Sequence, residues 1–250
     1  MSSLIKTDEE IEIMKISGKI ASQALKKVLD QVKPGTKCSH LDKIAYHEIK
    51  NRGAQPSFMT VDDYKWTICT TVNERVVHGI PTELTLNEGD ILGIDIGALY
   101  KGFHSDLAIT IPVGKVSDSA LKFLKVGATT LKEAIKRAKI GNRIGDISET
   151  IQKNIESQGY SIVKSLTGHG VGHNLHEEPM IPGFGKAGSG PRLVKNMTLA
   201  IEVIYTQGSA EVEVEDDNWT ISSKDKSLGG LFEQTVAITK NGPIVLTPYL

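Results

Sequence analysis

The chain has 250 residues, 39% of them apolar, with 29 basic and 30 acidic side chains and a formal charge of −1. That balance lacks the basic excess on which nucleic-acid or membrane-surface binding relies, and no apolar run reaches the roughly 18 residues of a membrane span. Two cysteines, Cys38 and Cys69, build no disulfide framework. The N-terminus turns acidic at Asp8-Glu9-Glu10 without an apolar stretch, so no signal peptide is expected and the protein is read as cytoplasmic.

In chain order, Thr7 followed by Glu10 marks a capping-box start for a first helix, and Ser39 followed by Asp42 resembles one for a second. Apolar positions Leu41, Ala45 and Ile49 recur at helical spacing, and Gly53 stands where a helix would stop. Strands are expected at 66–72, 91–97, 103–111, 161–165, 198–206, 211–215 and 231–239, rich in Ile, Val and Thr between Gly, Asn and Asp turns. The stretch from Pro179 to Pro191 reads as an ordered surface loop. Shifted by 106 residues, the first helix pair falls on a second one: Leu25-Lys26 on Leu131-Lys132, Leu41 on Ile147, Ile49 on Ile155, Gly35 on Gly141 and Gly53 on Gly159. The expectation is a single α+β domain of two pseudo-symmetric halves, roughly 1–115 and 116–250, with a sheet covered on one face by four helices.

Four acids interrupt apolar strand-like runs: Asp95, Asp106, Glu202 and Glu233. Burying a bare carboxylate costs several kcal/mol, so something positive must compensate. A lone acid would ordinarily cap a turn or meet a lysine, but four in such settings point to a shared cation. A hairpin centred at Tyr100-Lys101 would set Asp95 directly opposite Asp106. Among seven histidines, His169 stands between Gly168 and Gly170, His173 and His176 follow, and His78 lies in a turn after a strand; His40, His47 and His104 read as surface or hydrogen-bonded residues. No HExxH helix, phosphate-binding loop, GxSxG elbow or paired CxxC occurs. Hard oxygen donors with one imidazole favour Mn, Fe, Co or Zn, and two such ions clamping a water would make a dinuclear metallohydrolase.

In order and spacing, Asp95, Asp106, His169, Glu202 and Glu233 resemble the five-ligand set of the methionine aminopeptidases, which have the pita-bread (creatinase/aminopeptidase) fold. The likeness covers nearly the whole chain: Val77-His78-Gly79-Ile80-Pro81, Asp95-Ile96-Gly97, Gly102-Phe103-His104-Ser105-Asp106, Gly168-His169-Gly170-Val171-Gly172, His176-Glu177-Glu178-Pro179, Asn218-Trp219-Thr220 and Phe232-Glu233-Gln234-Thr235-Val236. The short gap between His169 and Glu202 matches the short bacterial type I form. The resemblance implies two divalent ions (Co, Mn, Fe or Zn), with Asp95 on one, His169 and Glu202 on the other, and Asp106 and Glu233 bridging. It implies Glu202 as proton carrier, His78 and His176 as donors to the substrate carbonyl, and Trp219, Cys69 and Leu175 as pocket positions. The chain departs from the family at 55–66, which lacks the usual Tyr-rich turn; Tyr64 is expected to stand in. It departs again at Glu202-Val203, where Glu-Pro is usual.

Implied partners are nascent polypeptide N-termini and a transient ribosome contact, for a monomer that binds neither specific nucleic acid nor membrane. The Lys132, Lys136 and Lys139 cluster reads as a solvated helix face. A proline-directed peptidase of the same fold would share the ligands, and a non-catalytic binding protein would share the fold alone; Trp219 and the flanking histidines speak for the methionine-specific enzyme.

Overall fold

The computed structural model describes residues 4–249. Among them, helices α1 (Asp8–Leu29), α2 (Cys38–Asn51), α3 (Asp118–Ile135) and α4 (Ile144–Glu156) frame the strands. The first half contributes β1 (Gln55–Pro56), β2 (Ile68–Val72), β3 (Arg75–Val77), β4 (Ile91–Tyr100) and β5 (Phe103–Pro112). The second contributes β6 (Ser161–Ile162), β7 (Thr167–Gly170), β8 (Glu177–Pro182), β9 (Thr198–Thr206), β10 (Val212–Val214), β11 (Ile221–Ser223), β12 (Gly229–Thr239) and β13 (Gly242–Val245).

One antiparallel sheet runs β1-β4-β5-β12-β9-β7-β8, with β2 also on β4, β6 on β9 and β13 on β12; β10-β11-β3 form a smaller sheet. The helices cover one face of the large sheet. Against α1 and α2 pack Leu92, Ile94 and Ile96 of β4; against α3 and α4 pack Leu199, Ile201 and Val203 of β9 and Phe232, Val236 and Ile238 of β12. Strand alternation sends the residues between them, Asp95, Glu202 and Glu233 included, to the opposite face.

Echoes of the 106-residue shift persist in the backbone. Gly35 and Gly141, and likewise Gly53 and Gly159, hold positive φ, and the N-caps of α2 and α4 are Lys37 and Arg143, each in an isolated bridge. Thr7 and Glu10 form the expected capping box. The second expected box is absent: the N-cap of α2 is Lys37, without a side-chain bond. Asp42 instead accepts from the backbone N–H of Thr67 and Ile68 at 2.7 and 3.1 Å, tying α2 to the start of β2. The Pro179–Pro191 stretch is a loop only after Pro182, because its first residues complete β8.

The halves meet between β5 and β12, where regular pairing is short: Glu233 faces Ala108 and Gln234 faces Leu107. Threonine hydroxyls extend the seam on both sides. Thr110 Oγ1 donates to Leu231 O at 2.9 Å and accepts from Leu231 N at 3.0 Å. Thr235 Oγ1 donates to Asp106 O at 2.7 Å and accepts from Asp106 N at 2.9 Å. Each hydroxyl thus satisfies one buried backbone donor and one acceptor. Tyr249 Oη reaches the same seam, 2.6 Å from Ala108 O and 3.0 Å from Glu233 O.

Candidate active site

The sheet face away from the helices carries the acids in one row. Cys69 on β2 faces Asp95 on β4, Asp95 faces Ala108 on β5, Ala108 faces Glu233 on β12, and Glu233 faces Glu202 on β9. Asp106 stands two residues from Ala108 on the same face of β5. His169 on β7 pairs with Ala200, two residues from Glu202. Ala108 keeps the middle of the row free of bulk.

This register corrects the expected one. Asp106 lies opposite Gly97, not opposite Asp95. The hairpin loop is Lys101-Gly102, both at positive φ (48° and 83°), and Tyr100 pairs with Phe103, the two-residue geometry that suits strand twist. Asp95 and Asp106 are therefore diagonal neighbours, still close enough for their carboxyl groups to hydrogen-bond.

Electrostatically the cluster is incomplete without a cation. Burial pushes Asp95 up to about 7. Asp106, Glu202 and Glu233 are held well above the usual carboxylate range, first by burial and then by one another and Asp95. Asp95 Oδ1, Asp106 Oδ1 and Glu233 Oε1 are buried with no hydrogen-bond partner, which leaves unused acceptors aimed at one space. Ligand atoms of Asp106, His169 and Glu233 lie within 4.8 Å of one another, and His169 Nε2 is 3.4 Å from Glu202 Oε1. His169 Nδ1 is 2.8 Å from Gly170 O; a carbonyl only accepts, so Nδ1 carries the proton and Nε2 presents its lone pair. Burial lowers the pKa of His169 to about 4, keeping it neutral. Orphaned carboxylate oxygens plus a neutral imidazole fit a hard or borderline divalent cation.

All five residues line one cavity of about 130 Å³, together with His78, His176, Phe58, Val61, Tyr64, Cys69, Leu175 and Trp219. His176 is exposed at the mouth, its ring edge-on to His169 with centroids 4.5 Å apart. His78, also exposed, sits at φ 57°; the cavity wall lowers its pKa by desolvation, and His176 lowers it further. The apolar end is aromatic: Tyr64 meets Trp219 edge-on with centroids at 5.0 Å, while its hydroxyl donates to Ile68 O at 2.9 Å and lies 3.1 Å from Cys69 Sγ. Phe58, Tyr64, Cys69 and Leu175 are all buried there.

Residues 12–240 match the sequence model of metallopeptidase family M24. The chain belongs to metallopeptidase family M24. Among the family's members, the methionine aminopeptidase of Clostridium acetobutylicum is 42% identical over 245 residues, 98% of each chain. The crystal structure of methionine aminopeptidase from Thermotoga maritima superposes with a TM-score of 0.96 at 40% identity, covering 97% of this chain and 98% of that one. The prolidase from Pyrococcus furiosus gives 0.80 at 26% identity, covering 98% of this chain but 65% of that one. The M24 peptidase thus has the pita-bread fold, and the family is one of metal-dependent peptidases.

Every site residue expected from the sequence lines the one cavity. In this M24 chain, Phe58 and Val61 were not anticipated; they belong to 55–66, where Phe58–Thr60 forms a 3-10 turn. Strand β7, which carries His169, was hidden because its Gly-His-Gly run has no strand propensity. His104 is buried and hydrogen-bonded as expected, its Nδ1 2.6 Å from Ser57 Oγ. His40 and His47 fall on α2. His173 lies outside the cavity, 3.3 Å from Glu10 Oε1.

Proposed function

We propose that this M24 peptidase removes the N-terminal methionine from nascent proteins whose second residue is small, acting as a cytoplasmic monomer that meets its substrates at or near the ribosome. One catalytic domain suffices, its halves roughly 1–115 and 116–250 each lending donors to the site. The observation that carries this reading is a single cavity holding five convergent metal-type donors at one end and a closed aromatic wall at the other.

Asp95, Asp106, His169, Glu202 and Glu233 would hold two divalent ions (Co, Mn, Fe or Zn), which when bound supply Lewis-acid polarisation of the scissile carbonyl and a water acidic enough to attack near neutral pH. Asp95 would hold one ion and His169 with Glu202 the other, with Asp106 and Glu233 shared between the two. Glu202 would take the proton from the attacking water and pass it to the departing amine, the acid–base role of a carboxylate held beside the reacting atoms. His78 and His176, kept neutral by their surroundings, each offer an N–H to the carbonyl oxygen as it gains charge. The methionine side chain lies among Trp219, Tyr64, Cys69, Leu175, Phe58 and Val61; its thioether suits the two ring faces.

The test is release of the first residue from Met-Ala-Ser, Met-Leu-Ser and Ala-Pro-Ser by metal-stripped protein with and without Mn or Co. Metal-dependent cleavage of Met-Ala-Ser alone supports the proposal. Cleavage of Ala-Pro-Ser would reassign the chain to proline-directed peptidases, and no cleavage with any metal would leave a binding protein.

A further inference from the structure

The segment before α1 is stitched to the far end of the chain: Ile5 bridges to Met197, and Lys6 N donates to Asn196 O at 3.0 Å. The Lys6 side chain then turns inward. It is 1% exposed, and its ammonium meets Glu177 Oε2 at 2.6 Å, with the Glu177 side chain 3% exposed. The path runs through a slot left by Gly172, where a Cβ would fall 2.1 Å from Lys6 Cε and 2.6 Å from its Nζ. The second Glu177 oxygen accepts from Asn174 N at 3.0 Å. A lysine is almost never this deeply buried unless paired, and a buried pair gains little stability over apolar packing of the same shape. Its value here is where it holds the chain.

What it holds is the loop that ends in His176. Two further contacts pin that loop to the same side of the molecule: Glu10 Oε1 lies 3.3 Å from His173 Nε2, and His104 N donates to Gly172 O at 2.7 Å. Glu177 follows His176 directly and opens β8 opposite Gly170, so anchoring its carboxylate fixes the backbone from which His176 enters the cavity.

We propose that Lys6 is a positioning residue: its buried ion pair with Glu177 sets the backbone at His176 so that the imidazole points at the substrate carbonyl. This rests on the reading of His176 as the donor to that carbonyl. A displacement of about 1 Å in such a donor can cost on the order of a hundredfold in rate.

The experiment is a double-mutant cycle on manganese-loaded enzyme with Met-Ala-Ser, using Lys6→Met, His176→Ala and the combination, with bound manganese measured in each. Lys6→Met is expected to lower kcat about tenfold or more, with KM changed less than about twofold and manganese content unchanged. In the His176→Ala background it should cost nothing further, because its effect passes through that ring. Multiplying losses in the double variant, full activity of Lys6→Met, or loss of manganese in it would each overturn the proposal. Full activity of His176→Ala would instead overturn the role of His176 itself. Glu177→Asp, which keeps both charges but withdraws the carboxylate by one methylene, runs the same cycle if Lys6→Met does not fold.

Discussion

Glu233 on β12 lies directly opposite Glu202 on β9, two carboxylates on one face with Cβ atoms about 4.5–5.5 Å apart. Ionising both would destabilise the sheet, and burial beside Asp106 and Asp95 makes each give up its proton only well above the usual carboxylate range. The fold accepts this arrangement because a cation converts repulsion into chelation.

Neutralising one partner should therefore stabilise the metal-free protein. Glu233→Gln is expected to raise its melting temperature by a few degrees, the equivalent of about 1 kcal/mol for a chain of this size, while abolishing both hydrolysis and the stabilisation by added manganese. Differential scanning calorimetry decides it; a lower melting temperature would mean that the carboxylate itself supports the fold.

The four buried carboxylates should make the metal-free protein lose stability as pH rises, an effect partly offset below about 6.5 by His104 and His169, whose pKa values burial lowers to about 4. The four carboxylates hold their protons in the folded state to about 7 for Asp95 and well above the usual range for the other three. The unfolded chain releases them near the ordinary value of about 4. Between these limits the folded state binds more protons, so unfolding becomes easier with increasing pH from about 4 upward. Chemical denaturation at pH 5 and pH 8 measures it, and saturating manganese should abolish or reverse the trend.

Metal retention and rate should separate by residue. Asp106→Ala is expected to lose bound metal and activity together. His176→Ala should keep the metal and lose about a hundredfold or more in kcat, the range for removing one donor to a developing oxyanion. Elemental analysis beside kinetics checks both; loss of metal from His176→Ala would place that ring among the ligands.

Thr235→Val removes the hydroxyl that satisfies both the N–H and the C=O of Asp106. Supports one step behind a ligand typically carry tenfold to a hundredfold in metal affinity. Manganese titration by calorimetry should show weakening of about that size; an unchanged affinity would mean the strand seam holds Asp106 without the hydroxyl.

Trp219→Ala opens the wall that Tyr64 closes from the other side. The ratio of kcat/KM for Met-Ala-Ser over Leu-Ala-Ser should narrow, by up to about tenfold. An unchanged ratio would put the selectivity elsewhere in the cavity.

Much of this was readable from the sequence because the donors sit in apolar strands, where a carboxylate is conspicuous. Asp95 between Ile94 and Ile96, and Glu202 between Ile201 and Val203, announce a face whose chemistry differs from its neighbours. The helix duplication was legible because Gly53 and Gly159 end amphipathic patterns at matched positions. What escaped was set by distance. The hairpin register turned on one residue, Lys101, adopting positive φ. Asp42 looked like a cap but serves β2, a choice made only when α2 packs on the sheet. Lys6 gave no local sign of burial, since its slot and its partner come from residues more than 160 positions away.

The short seam between β5 and β12 also constrains how the chain is made. β5 can pair with β4 as soon as both are made, whereas β12 follows more than a hundred residues later. Until then its outer edge, with the backbone of Asp106 and Ala108, offers unpaired donors and acceptors to any passing strand. Synthesis therefore includes an interval in which the half-built sheet is vulnerable to mispairing, and folding must await contacts of high sequence separation. An enzyme that trims nascent chains would itself pass through an exposed nascent state, closed only when Thr235 reaches Asp106.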